Sequence, residues 1–171
     1  PVCSSAASDV YKRQVFKATG PTVSSSMDVK IGMTKDGIIT AGEAHLRYQG
    51  GAFPNGTVEM GAQSAFAAYD LKAVRTKGWN VLTNRPKQAA YRAPGAPQAI
   101  YAVESVVDEL CQKLNLDPLE IRIKNAAKKG TQSSYGPTFD DIGLIATLEA
   151  AKKHPHYFCL LYTSDAADEH T

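Results

Sequence analysis

Between Met27 and Met33 the apolar residues Val29, Ile31 and Met33 alternate with Asp28, Lys30 and Gly32. A period of two marks a strand with one buried face. Thr34-Lys35-Asp36-Gly37 follows, with Asp-Gly at the tip of a tight turn, and Ile38–Tyr48 reads as the returning strand of a hairpin. Gly50–Gly56 is a glycine-containing loop, and the alanine-rich stretch Thr57–Tyr69 predicts a helix. Val74–Thr83 predicts another strand, with Trp79, Val81 and Thr83 on one face.

The period then lengthens. Ile100, Val103, Val107, Leu110 and Leu114 fall on one face of a helix that begins just after Pro97. Asp117 is placed to cap the next helix, with Pro118 as its first residue and Glu120 as its third, in the manner of a capping box. Lys128 and Lys129 suit that helix's negative end, and Gly130 its stop. A last helix is expected from Asp141 to Lys153, with Ile145 and Leu148 facing inward and Pro155 beyond its end. Strands first and helices afterwards predict an α+β fold: an N-terminal β-hairpin or mixed sheet followed by packed helices.

The two ends change the bulk picture. Ser4–Gln14 and Cys159–Glu169 can be encoded by opposite strands of one DNA string, as when a sequencing adapter is read into an open frame. Residues 1–14 and 159–171 are therefore set aside as adapter-encoded, leaving 15–158 as the protein segment. Removing Lys12, Arg13 and Asp9 from one end, and Asp165, Asp168 and Glu169 from the other, moves the net charge from +2 to +4. Its cationic residues are dispersed rather than aligned, which gives no nucleic-acid footprint. No run of 18 apolar residues is present to span a membrane. Cys111 remains as the one cysteine of the segment and reads as a small apolar filler, which fits a reducing, cytoplasmic compartment.

Familiar phosphate loops and close-spaced zinc motifs are missing from the sequence. His154 and His156 read as surface residues, His45 as structural, and Asp140-Asp141 as a helix cap. The chemistry-bearing stretch is Ala90-Tyr91-Arg92-Ala93-Pro94-Gly95-Ala96-Pro97-Gln98. Its prolines and glycine fix the backbone just ahead of a helix start, where unpaired N–H groups favour an anion. Arg92 adds a planar guanidinium fork suited to an oxo-anion. On physics alone the same residues also read as a structural turn with a surface arginine.

That stretch, followed by Glu104-Ser105, Asp108-Glu109-Leu110 and Asp117-Pro118-Leu119-Glu120-Ile121-Arg122-Ile123-Lys124-Asn125, resembles the large subunit of the xanthine dehydrogenase/aldehyde oxidase family of molybdenum hydroxylases. Thr83-Asn84 and Tyr135-Gly136-Pro137 also match the family's pattern, and the resemblance runs from Ser26 to Tyr157. It implies a piece of a larger molybdopterin-binding domain. The implied cofactor is molybdenum–molybdopterin, with the cytosine dinucleotide form as a candidate. The implied reaction is hydroxylation of an electron-poor carbon with oxygen drawn from water, a glutamate acting as base. Electrons then pass to 2Fe-2S and FAD partner domains or subunits.

By the same resemblance Arg92 contacts the cofactor, and the backbone of Ala90, Tyr91 and Ala93 lines its site. The family's glutamate lies downstream of this chain and its glycine-rich cofactor loop upstream, so the segment alone is expected to be inactive. An ungapped alignment puts Met60 where purine-oxidising members carry a substrate-anchoring arginine, and Pro94 where they carry a stacking aromatic. A thioether has no N–H to offer a purine, so an aldehyde or N-heteroaromatic substrate is expected. Ala93 replaces the cysteine of the copper-containing carbon monoxide dehydrogenases, which speaks against their chemistry. The competing reading is a non-catalytic binding or scaffold domain sharing the fold.

Overall fold

The alternation at Val29, Ile31 and Met33 belongs to strand β1 (Ser25–Met33), paired antiparallel with β2 (Ile39–Gly51). The computed structural model describes residues 22–54, 56–89 and 92–157. Both adapter-assigned ends, residue 55 of the predicted loop, and Ala90 and Tyr91 lie outside the described residues. The hairpin turn is as predicted: Gly37 N–H donates to Thr34 O at 2.9 Å, and the Thr34 hydroxyl accepts from Ile38 N–H at 3.0 Å. Gly37 has φ +78, and a side chain there would also strike Ile121, so only glycine fits.

Helix α1 (Val58–Ser64) carries the chain to β3 (Ala73–Leu82), which pairs parallel with β2. The sheet is therefore mixed, in the order β1-β2-β3. Ala44, Leu46 and Tyr48 of β2 point inward and are fully buried. Tyr48 is opposite Asn80 and Leu46 opposite Gly78, so the even-numbered residues of β3 face the helices. Trp79 and Val81 do share a face, as predicted, but it is the outer one, where both are more than 40% exposed. His45 and Arg47 lie against Trp79 there, with a His45–Trp79 ring separation of 5.6 Å, consistent with a structural role for His45.

The remaining helices are α2 (Ala96–Leu114), α3 (Pro118–Asn125) and α4 (Leu144–Lys153). Helix α1 packs on β2, β3 and α2, while α2 packs on β1 and α3. Helix α2 buries Ala99, Val103, Val107 and Cys111, a stripe one residue away from parts of the predicted face. Ile100 is 42% exposed, and Leu110 and Leu114 are only half-buried. Small Ala99 and Cys111 let α2 lie close to the sheet, a criterion that a count of large apolar residues overlooks.

Three helix ends differ from expectation. The predicted Thr57–Tyr69 helix stops at Ser64, because Tyr69 bridges to Ala126 and Ala127 N–H donates to Ala68 O at 2.9 Å. The same pairing ends α3 at Asn125, well before Gly130. Helix α4 starts at Leu144 with Gly143 as its cap, so Asp140-Asp141 does not cap it; Asp141 instead meets Lys129 at 3.1 Å. Ile145 and Leu148 are half-buried, in a helix with no fully buried residue.

Candidate functional site

The loop between β3 and α2 is tied down before it reaches Arg92. Thr83 N–H donates to Gly51 O and Ala52 N–H to Arg85 O, both at 3.0 Å, joining it to the end of β2. Gly51 has φ +80, and a side chain there would come within 2.4 Å of the Pro86 carbonyl. Gln88 is buried, and its side-chain oxygen accepts from the Thr57 hydroxyl at 3.4 Å.

Arg92 and Ala93 then emerge into solvent. Arg92 makes no hydrogen bond or ion pair among the described residues, so its guanidinium is open to a ligand. Ala93 adopts φ +57, a left-handed conformation unusual for alanine and held only when the surroundings enforce it. Pro94 is half-buried, and Gly95 is buried at φ +79 as the N-cap of α2. Ala96 N–H donates back to Ala93 O at 3.3 Å, closing the turn. The buried Tyr48 hydroxyl donates to Gly95 O at 2.5 Å.

Helix α1 abuts this corner from the other side. A side chain on Gly95 would come within 2.2 Å of Thr57 O, and one on Gly61 within 2.9 Å of Gly95 O. Met60, next to Gly61, is 52% exposed. The structure thus places the helix carrying Met60 against the loop carrying Arg92, Ala93 and Pro94. Tyr48, Thr57 and Gly61 were missed as supports of that loop. The inward parity of Tyr48 with Ala44 and Leu46, and a glycine inside an alanine-rich helix, were the available signals.

A second polar cluster lies away from the loop. Arg122 reaches Glu104 at 2.7 Å and Asp108 at 2.8 Å, and the Tyr69 hydroxyl donates to Glu104 at 2.7 Å. Burial and the neighbouring Glu104 carboxylate push the Tyr69 hydroxyl well above its ordinary range. All four groups are mutually satisfied, so the cluster braces α2 against α3 and the turn after α1.

Arg92 is thus an exposed cation beside the left-handed Ala93, just ahead of the start of α2, on an α+β scaffold. The Molybdopterin cofactor-binding domain family matches residues 10–126, and the chain belongs to that family. It is 36% identical over 127 residues to the aldehyde oxidoreductase of Megalodesulfovibrio gigas, covering 72% of this chain and 14% of that protein. It is 33% identical over 132 residues to the nicotinate dehydrogenase large molybdopterin subunit of Eubacterium barkeri, covering 75% of this chain and 31% of that one. The solved aldehyde oxidoreductase of Desulfovibrio gigas superposes with a TM-score of 0.80 at 30% identity, covering 90% of this chain and 17% of that chain. The chain therefore spans less than a third of the length of these relatives.

The residues present fit such a group. Arg92 offers N–H donors with no competing partner among the described residues, matching an acceptor-rich, anionic cofactor. No cluster of three His, Cys, Asp or Glu residues capable of holding a metal occurs among the described residues. No helix of the described residues is long and apolar enough to cross a membrane.

Proposed function

We propose that this chain is the part of a molybdenum hydroxylase catalytic subunit that presents the Arg92 loop to the cofactor. The carrying observation is the solvent-facing Arg92 beside the left-handed Ala93, in a chain of the cofactor-binding family. When bound, molybdenum–molybdopterin, with the cytosine dinucleotide form as the candidate, would supply the two-electron redox chemistry of the reaction. Arg92 would donate hydrogen bonds to it and orient it, with the Ala93 backbone beside it; Ala90 and Tyr91, which the resemblance assigns to the same lining, lie outside the described residues. The arginine's charge is already in place ahead of reaction, so it requires little reorganisation there.

Met60 and Pro94 are assigned to the substrate side. Neither offers a side-chain hydrogen-bond donor, which favours an aldehyde or an N-heteroaromatic carbon over a purine. The hydroxylation base and the 2Fe-2S and FAD partners belong to sequence outside this chain, so the 171 residues alone are inactive. Residues 15–158 are assigned to the enzyme, and 1–14 and 159–171 to adapter DNA. The compartment that fits is cytoplasmic.

The test is Arg92→Ala in the full-length subunit assembled with its partners. Turnover or bound molybdenum should fall by at least about tenfold, the scale typical of groups that orient a metal centre from behind its ligands. Wild-type turnover together with wild-type molybdenum content overturns the role of Arg92. Stoichiometric molybdenum in the purified 171-residue chain overturns its assignment as incomplete.

A further inference from the structure

Tyr48 sits on the inward face of β2, fully buried, and grips the Gly95 carbonyl 47 positions further along the chain. That carbonyl belongs to the corner from which the Arg92 loop turns into α2. Gly61 packs over the same contact, so closely that a methyl group there would lie 2.5 Å from the Tyr48 hydroxyl and 2.9 Å from Gly95 O. Thr57 O closes the third side, 2.2 Å from where a Gly95 side chain would begin. Three elements, β2, α1 and the loop, therefore meet at one hydroxyl. The left-handed Ala93 lies two residues from that corner, and a strained conformation persists only while its surroundings hold it.

We propose that the Tyr48 hydroxyl is a positioning group: with Gly61 it sets where the Gly95 corner stands, and so where Arg92 meets the cofactor. The joint also fixes α1, so it governs the spacing between the Arg92 side and the Met60 side of the site. This rests on the reading of the Arg92 loop as facing the cofactor. Tyr48 touches neither cofactor nor substrate; it acts through the loop. Small misplacements of a positioned group reduce turnover more than they weaken substrate binding.

The experiment uses the full-length subunit in its assembled enzyme, as wild type, Tyr48→Phe, Gly61→Ala, Tyr48→Phe with Gly61→Ala, Arg92→Ala, and Gly61→Ala with Arg92→Ala. Amide hydrogen exchange across residues 92–96 is read alongside kcat, KM, molybdenum content and the molybdenum electron paramagnetic resonance spectrum. Tyr48→Phe should speed exchange in the loop by about tenfold while leaving the Val103–Val107 interior of α2 unchanged. It should lower kcat by about tenfold with KM within about twofold, and alter the spectrum. Gly61→Ala should disturb the loop in its own right, but less in the Tyr48→Phe background, because the clash with the hydroxyl is gone.

Unchanged loop exchange in Tyr48→Phe overturns the proposal. So does faster exchange with wild-type kcat and spectrum while Arg92→Ala loses turnover, a result that leaves the Arg92 reading intact. Wild-type turnover and molybdenum in Arg92→Ala overturns that reading, and with it the cofactor-positioning role assigned to Tyr48. Should Tyr48→Phe fail to fold, additive effects of Gly61→Ala and Arg92→Ala on kcat count against the proposal, and strongly sub-additive effects support it.

Discussion

Asn125 is buried, and its side chain uses both ends. Its oxygen accepts from Ile39 N–H at 2.9 Å, and its nitrogen donates to Gly37 O and Ile121 O, each at 2.8 Å. One residue at the end of α3 thereby satisfies the hairpin turn and the first residue of β2, 86 to 88 positions earlier. Asn125→Ala leaves those backbone groups without partners, and each buried unsatisfied group costs roughly 1–3 kcal/mol. The expected loss is about 2–4 kcal/mol, read from urea unfolding at constant m-value. A loss under about 0.5 kcal/mol would show that the groups find other partners. The sequence offers Asn125 only as the last residue of the Asp117–Asn125 motif, and no local pattern reveals contacts of such separation.

At the scale of elements, the hairpin was legible because period-two burial and an Asp-Gly turn are local signals, and β1, β2 and β3 follow them closely. The start of α3 was legible for the same reason. Asp117 accepts from Leu119 N–H and Glu120 N–H, both at 2.8 Å, though Glu120 does not complete the capping box and instead pairs with Lys152 of α4. The ends of α1 and α3 were not legible, since a pairing between two distant segments at Tyr69 and Ala126 cuts both short. Helix α4 packs on α3 with no fully buried residue of its own. Just beyond α4, the Tyr157 hydroxyl donates to both oxygens of Asp117, at 3.0 and 2.8 Å. Burial and the adjacent Asp117 carboxylate push that hydroxyl up to about 12, so it stays protonated at ordinary pH.

Burial alone would raise the Asp117 carboxyl. Hydrogen bonds from Glu120 N–H, the Tyr157 hydroxyl and Leu119 N–H, with the Lys152 charge, outweigh it and leave the carboxyl below its usual range. A lowered folded-state value favours the carboxylate in the native chain, so its contribution is complete above the ordinary carboxylate range near pH ~4. It is lost as pH falls through the lowered value. Amide protection of residues 144–153, taken relative to the intrinsic exchange rate at each pH, should therefore fall below pH ~4, and Asp117→Asn should remove most of that dependence. A flat profile in the wild type would mean that apolar packing of Ile145 and Leu148 alone secures α4.

For the molecule as a whole, the candidate site divides into a part written in one stretch and a part assembled by the fold. Arg92, Ala93 and Pro94 stand together in the chain, so their loop is legible in the order of residues alone. The Tyr48, Thr57 and Gly61 supports come from two other elements and acquire meaning only when β2 and β3 run parallel with α1 crossing between them. The parallel pairing also decides which face of β3 is covered, and it leaves Trp79 on the open side.

Cys111 lies in the innermost stripe of α2 with no exposed surface, and burial raises its thiol above the ordinary range. Both effects suppress the thiolate that alkylating reagents need. The side chain is therefore a clock for opening of the structure around it: a reagent reaches it only during moments when α2 leaves the sheet. Peptide-resolved labelling with iodoacetamide at neutral pH should be slower than for an unfolded peptide by at least about a thousandfold. In rising urea the rate should climb in step with loss of helical circular dichroism. Labelling at the unfolded rate in native buffer would show α2 detaching freely. Slow labelling would make Cys111 a chemical reporter on the helix whose first turn anchors the Arg92 loop.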